Sequence, residues 1–349
     1  MIRELIFMGP GRLPLLRVRH RNWFKILEAM VSANTEIDTK GRRWYASNPK
    51  IDWNKLRPMI KQRIENRARG YPITAMIPVA KEVLQARSAV INGVSALLKV
   101  QPVLACKFCP EVYVGETGHV IRTCYGHKRL SKNQVHQWVR ASLNDIVVPV
   151  ETFRRENRSQ EVIKHHQRFD FDRVPAVVEL CRQAGASPSD SDLSSNSMSD
   201  SVLSGADSLS ADDLGTIGNR TLGAWETLRQ GVQKLLLVYT AKVCKYCSEV
   251  HVGPSGHKAR LCGVFKYQNF RGNHFWEKAG VDDLVPPKIV WSRRPQDPPA
   301  LLHEHRNYYG HAPAVVDLCV KAGAAIPPKY FCLMKAQGLR GPPRDEVSG

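Results

Sequence analysis

The chain has 349 residues, 43% of them hydrophobic, with a formal charge of +19 and a pI near 9.7. That length suits two or three domains, and the cation excess points to an acidic partner: nucleic acid, a phospholipid surface or an acidic protein. No stretch approaches the ~20 apolar residues of a membrane span, and nine cysteines with no secretory signal ahead of them argue against a disulfide framework.

Residues 1–45 carry nine Lys/Arg against four Asp/Glu, and Glu4 is the one acid in the first 27. An Arg-rich, acid-poor leader that meets Arg43-Trp44-Tyr45-Ala46-Ser47 predicts an organelle transit peptide over 1–45. The competing reading is a structural N-terminal helix. Residues 46–78 read as a basic helical lead-in. Ile60 and Ile64 share one face, with Arg57, Lys61, Arg63, Arg67 and Arg69 around them. Such a face is either solvated or laid on an RNA backbone.

The chain then says one thing twice. CKFCPEVYVGETGHVIRTC (106–124) returns as CKYCSEVHVGPSGHKARLC (244–262). At an offset of 138 the alignment runs without a gap from 106 to 186, with 30 identities in 81 positions. This is an internal duplication. Val90, Gly93, Val94, Leu97 and Leu98 face Leu228, Gly231, Val232, Leu235 and Leu236, so each unit opens on an amphipathic helix. Each also closes on one, Pro175 to Gly185 and Pro313 to Gly323, with proline at the start and glycine at the end. The units are 79–186 and 217–324, with a tail over 325–349. Between the units, residues 187–216 hold six aspartates and no Lys or Arg. This composition predicts a disordered acidic linker. The fold expected is α+β and helix-rich: two duplicated small zinc-stabilised modules joined by that linker.

The repeated stretch has the spacing C-x2-C-x9-H-x4-C. Cys106, Cys109, His119 and Cys124, and again Cys244, Cys247, His257 and Cys262, supply three thiolates and an imidazole. That set suits Zn²⁺ in a closed, structural site, one ion per unit. An iron–sulfur cluster is the rival for the same thiolates. Gly115, Gly118, Gly253 and Gly256 would relax the backbone around the ion. The Gly-His-x4-Cys half is similar to the retroviral-type zinc knuckle, with a loop of nine where the knuckle has four. Such modules hold single-stranded RNA by stacking and by phosphate contacts. The RNA-contacting candidates are Lys107, Phe108 and Arg122 in the first copy, and Lys245, Tyr246, Lys258 and Arg260 in the second. His136, His165 and Cys181, matched by His274, His303 and Cys319, have the right types for a second ion per unit, though cysteines on an apolar helix usually pack. Trp138 and Trp276 are either core or stacking platforms. Cys332 has no counterpart and no role.

With these residues in hand, the duplicated region, the Trp53-Asn-Lys-Leu-Arg57 lead-in and the Pro-Ala-Val-Val helices resemble the plant APO family, named for accumulation of photosystem one. The resemblance covers about residues 50–335, and each unit is similar to an APO domain. The Arg-Pro-Gln-Asp-Pro run at 294–298 is most like the mitochondrial branch. The resemblance implies zinc-dependent binding of organelle RNA in support of group II intron splicing, in the mitochondrial matrix or else the chloroplast stroma. Its alternative is a factor for assembly of 4Fe–4S-containing complexes. Partners implied are intron transcripts and other splicing or assembly proteins. No G-x-x-x-x-G-K-[ST], G-x-S-x-G or H-E-x-x-H occurs, so no enzyme is expected.

Overall fold

A computed structural model describes residues 52–68, 70–126, 134–156, 161–189, 210–264 and 270–336. The expected transit peptide lies outside the described residues, as do residues 190–209 of the expected linker and residues 337–349 of the expected tail. Residues 1–62 and 63–349 form two units, and both repeats lie in the second. The lead-in contains helix α1, Trp53–Ala68. Its Leu56, Met59 and Ile60 are exposed, as are Arg57, Lys61 and Arg63.

Each repeat begins with a long helix. Helix α2 runs from Ile77 to Val100 and buries Val83, Val90, Val94 and Leu97, a stripe at helical spacing. After a three-stranded antiparallel sheet of β1 (Val103–Cys106), β2 (Val112–Val114) and β3 (Trp138–Arg140) comes the short helix α3 (Leu143–Ile146). A hairpin of β4 (Glu151–Phe153) and β5 (Arg173–Pro175) leads into α4 (Ala176–Gln183). The second repeat follows the same order: α5 (Ala211–Val238), β6 (Ala241–Cys244), β7 (Val250–Val252), β8 (Trp276–Lys278), α6 (Val281–Leu284), β9 (Ile289–Ser292), β10 (Gly310–Pro313) and α7 (Ala314–Lys321). Mixed helix and strand content agrees with the expected class.

Two boundaries move. The expected linker ends at 216, but Ser210 already caps α5. Asp213 N–H donates to Ser210 Oγ at 3.2 Å, and Ser210 N–H donates to Asp213 Oδ2 at 3.2 Å. Of the aspartates read as linker composition, Asp213 completes a capping box with Ser210, and Asp212 joins it in the first turn, at the positive end of a helix. The expected tail also packs in part: Tyr330 and Met334 are buried, and Tyr330 Oη donates to Glu226 Oε1 at 2.9 Å.

The repeats do not stand as two modules on a tether; they share one core. Helices α2 and α5 pack antiparallel along their lengths. A Cβ on Gly93 would lie 1.9 Å from Thr221 Oγ1, and one on Gly231 would lie 2.3 Å from Val83 Cγ2. Val83 and Thr221, like Gly93 and Gly231, are equivalents at the repeat offset, so the crossing has a pseudo-twofold. The hairpins then exchange. Strand β4 of the first repeat lies against β7 of the second, and β9 of the second lies against β2 of the first. Helices α4 and α7 follow, packing on β7 and β2 respectively. Val252 N–H donates to Thr152 Oγ1 at 3.3 Å across this exchange, and Gln183 Nε2 donates to Val252 O at 3.2 Å. Tyr113 and Ile121 of one repeat and Leu301 and Tyr309 of the other form a shared apolar cluster.

The crossing makes a testable demand. Gly93→Val inserts two methyls and a methine where the helices already touch. We expect it to destabilise the whole unit by about 2–3 kcal/mol or more, the cost of overpacking a close contact. Chemical denaturation would show it as a lower midpoint. An unchanged midpoint would mean the helices are not this close.

Candidate metal centres

The thiols converge as their spacing predicts. Cys106 ends β1 and Cys109 lies in the turn before β2. Cys124 reaches back from the long loop, where its N–H bonds Gln134 O. Cys106 Sγ is 3.9 Å from Cys124 Sγ, and Cys244 Sγ is 3.8 Å from Cys262 Sγ. These separations are far beyond a disulfide bond. The histidine that completes each group is His136 or His274: Nδ1 stands 3.4 Å from Cys109 Sγ in one copy and 3.3 Å from Cys247 Sγ in the other. Ligand atoms of Cys106, Cys109, Cys124 and His136 all lie within 4.8 Å of one another, as do those of Cys244, Cys247, Cys262 and His274.

Those distances can be compared with a metal shell. Around a tetrahedral Zn²⁺ with bonds of about 2.3 Å to sulfur and about 2.0 Å to nitrogen, S···S edges are ~3.8 Å and S···N edges ~3.5 Å. Both copies match. The charge balance also asks for a cation. Burial pushes the Cys106 thiol up, but the Phe108 and Cys109 N–H groups outweigh it and bring the pKa down. Burial, with the nearby Cys106 and Cys124 charges, pushes Cys109 up to about 12. Cys247 likewise rises to about 12, with Cys244 and Cys262 as its charged neighbours. Three clustered thiols cannot all ionise until a cation compensates them. The residues fit a closed zinc site.

His119 and His257, expected as ligands from spacing, stand outside the thiol groups. His119 Nε2 donates to Glu111 Oε1 at 3.0 Å, and its Nδ1 accepts from Ile121 N–H at 3.2 Å. His257 repeats this with Glu249 at 3.1 Å and Ala259 N–H at 3.1 Å. Both ring nitrogens are engaged, which leaves no lone pair for a metal. Their partner carboxylates instead orient the other histidine. His136 Nε2 lies 3.3 Å from Glu111 Oε2 and 2.9 Å from Thr123 Oγ1, which itself donates to Glu111 at 2.8 Å. His274 Nε2 lies 3.4 Å from Glu249 Oε2. In the first copy Thr123 Oγ1, itself tied to Glu111, accepts from His136 Nε2 and fixes the tautomer with Nδ1 free toward the thiols; among the described residues His274 Nε2 stands near Glu249 without a hydrogen bond. Burial keeps His136 below its ordinary pKa and takes His274 to about 4, so both are neutral and able to ligate. A second grouping, Glu111, His119 and His136 with its counterpart, shares that histidine. Its members already bond one another, and we read it as the support of the thiol site.

Glu111 and Glu249 were missed from the sequence, although the duplication repeats them at the offset. Each is also held by the opposite repeat. Trp291 Nε1 donates to Glu111 Oε1 at 2.9 Å, and Arg173 Nη1 bonds Glu249 Oε1 at 3.0 Å. Burial raises Glu249, but the His257 hydrogen bond, Arg173 and His274 bring it to about 2.

The remaining candidates separate. Cys181 and Cys319 are fully buried in the helical core, and burial pushes Cys319 up to about 12. His165 and His303 instead sit at the junction of the repeats: Arg260 N–H donates to His165 Nδ1 at 3.0 Å, and Arg122 N–H donates to His303 Nδ1 at 3.1 Å. The expected second-ion sets therefore do not assemble. Trp138 and Trp276 are half-buried core residues beside the thiols. They donate to His119 O at 3.2 Å and His257 O at 3.0 Å. A Cβ on Gly118 or Gly256 would fall 2.4 or 2.3 Å from these indoles, which explains those glycines. Phe108 and Tyr246 are exposed at the tips, as are Lys107, Arg122, Lys245, Lys258 and Arg260. Arg271 lies 4.1 Å over the Tyr246 ring, and Phe275 is 6.2 Å from it.

One buried group is out of place. His251 replaces Tyr113 in the second copy. It is 1% exposed, and neither ring nitrogen meets a hydrogen-bond partner among the described residues. Burial first, then the Arg155 charge, takes its pKa from 6.5 to about 3. The unfolded chain therefore binds the extra proton between those values. The stability is complete above the unfolded pKa and is lost as pH falls. We expect His251→Phe to recover about 1–2 kcal/mol near pH 5 and to change little near pH 8. Equal acid sensitivity of variant and parent would contradict this.

The APO RNA-binding family model matches residues 46–191 and 186–340. The chain is 33% identical over 324 residues to APO protein 2, chloroplastic, of Arabidopsis thaliana, covering 84% of this chain and 73% of that protein. It is 35% identical over 313 residues to APO protein 1, chloroplastic, covering 79% and 72%. It is 33% identical over 308 residues to APO protein 3, mitochondrial, covering 80% and 76%. Both of these are also from Arabidopsis thaliana. No solved structure matches. No described helix is long and apolar enough to cross a membrane. On the two family matches and these identities, the chain belongs to the APO RNA-binding family.

Proposed function

We propose that this chain is a zinc-dependent RNA-binding protein of a plant organelle, the mitochondrial matrix, where it supports group II intron splicing. One Zn²⁺ per repeat would be held by Cys106, Cys109, Cys124 and His136, and by Cys244, Cys247, Cys262 and His274. The observation that carries the reading is that each four-atom centre lies directly beneath an exposed aromatic and cationic tip. Phe108 sits between the first paired thiols and Tyr246 between the second. A filled four-ligand shell leaves no position open for substrate, which favours binding over catalysis. One imidazole per centre favours zinc over a four-thiolate cluster. The organelle follows the relatives, two of which are named chloroplastic and one mitochondrial; the Arg294–Pro298 run inclines us to the latter. The chloroplast stroma is the alternative location.

The test is fluorescence anisotropy of a labelled intron RNA with the zinc-loaded chain, across a salt series and with a chelator. The reading expects tight binding, a steep salt slope and loss on chelation. Tyr246→Ala should weaken binding about 5- to 100-fold, the range of one stacked base. Binding no tighter than to a generic polyanion would sink the RNA reading. It would turn attention to assembly of 4Fe–4S complexes and to protein partners.

A further inference from the structure

Two seams join the repeats at equivalent places, and their chemistry differs. In the first, residues 163–169 of repeat one run beside residues 258–260 of repeat two. Lys258 N–H donates to Ile163 O at 2.7 Å, and Lys164 and Lys258 face each other as a parallel bridge. Arg260 N–H donates to His165 Nδ1 at 3.0 Å. Arg168 Nη1 donates to His165 O at 2.7 Å, and its guanidinium lies 4.0 Å over the ring of Phe169. Phe169 is 79% exposed.

The second seam has the same backbone. Val120 N–H donates to Leu301 O at 3.0 Å, and Arg122 N–H to His303 Nδ1 at 3.1 Å. Its side chains are different. At the repeat offset Lys258 becomes Val120, Lys164 becomes Leu302 and Phe169 becomes Asn307. His166 becomes Glu304, and of the named side chains the histidine and the two arginines persist, as His303, Arg122 and Arg306.

Like charges set opposite one another are unfavourable. Among the described residues none of Lys164, Lys258, Arg168 and Arg260 pairs with a carboxylate. The cluster therefore gains stability from an anion. The exposed phenyl ring with a guanidinium already on it is the kind of platform on which an unpaired base stacks. A base inside a duplex offers no such face.

We propose that the Lys164–Lys258 seam is a composite site for single-stranded RNA: Lys164, Lys258 and Arg260 hold phosphates, and Arg168 with Phe169 receives a base. Neither repeat makes this site alone, and its mirror seam lacks it. An acidic protein would satisfy the lysines but would leave Phe169 without a role. This inference rests on the RNA-binding reading above.

The experiment uses the full zinc-loaded chain and a labelled single-stranded RNA in a salt series. Lys164→Ala with Lys258→Ala should flatten the log–log salt slope by about 1.4, the share of two phosphate contacts to a single strand. Phe169→Ala should weaken binding about 5-fold or more with an unchanged slope. Val120→Lys with Leu302→Lys in the mirror seam should steepen the slope. Zinc content and melting temperature serve as folding controls in each case. If the parent binds RNA and the seam variants bind with the parent's affinity and slope, the seam proposal is overturned while the RNA reading stands. If the parent binds an acidic polypeptide as tightly as RNA and Phe169→Ala changes neither, the site is a protein contact and the proposal is again overturned. If the parent binds no RNA, both fall.

Discussion

Cys262→Ala is expected to lower the zinc content from two ions per chain to one and to destabilise both repeats together. Cys262 is one of three thiols around the second centre, and its N–H is bonded to Gly272 O at 3.1 Å. Structural zinc supplies ~10–16 kcal/mol of binding free energy in small modules. Loss of one ligand should therefore remove at least about 5 kcal/mol. The effect should spread because Glu249, behind His274, is held by Arg173 of the other repeat. The adjoining Arg260 is bonded to His165 of that repeat. Denaturant unfolding followed by tryptophan fluorescence, with elemental analysis, checks this. A variant that keeps two ions, or one that loses an ion yet melts with the parent, contradicts it.

Cutting the chain between the repeats should have the other large effect. A fragment ending at 189 retains α2 but lacks the helix that covers Val83, Val90 and Val94. It lacks the hairpin that lies against β2, and Glu111 loses the Trp291 donor. The complementary fragment from 210 loses Arg173 and Phe153, whose ring packs 4.9 Å from His257. Neither fragment is expected to unfold cooperatively as a monomer, and mixing them should restore a cooperative transition with two zinc ions. A monomeric fragment that melts cooperatively and holds one zinc would show that the repeats are independent modules after all.

The duplication was legible because a fixed offset needs no three-dimensional knowledge. The thiol trio was legible for a related reason: thiols two apart, repeated, have few other uses. The histidine that joins each trio was not. His119 and His136 both recur at the offset, and spacing favours the one nearer Cys124. What decides is which ring has a free nitrogen, and that is set by Glu111 and by the Ile121 N–H. Nothing in the sequence marks Glu111; its two histidines and the distant Trp291 surround it only in the fold. The exchange of hairpins was illegible in principle. Equivalent residues say that two units are alike, not which copy supplies the strand beside β2. Ser210 and Asp213 carried a capping signal that the surrounding run of serines and aspartates masked.

Which histidine completes each centre can be tested directly by one measurement: zinc per chain by elemental analysis after exhaustive dialysis against a weak chelator. The variants are His136→Ala with His274→Ala, and His119→Ala with His257→Ala. The geometry predicts that the first pair retains little zinc and loses RNA binding with it, while the second pair keeps two ions at reduced stability. Retention of both ions by the first pair, with loss from the second, would return the ligand role to His119 and His257 and contradict the assignment.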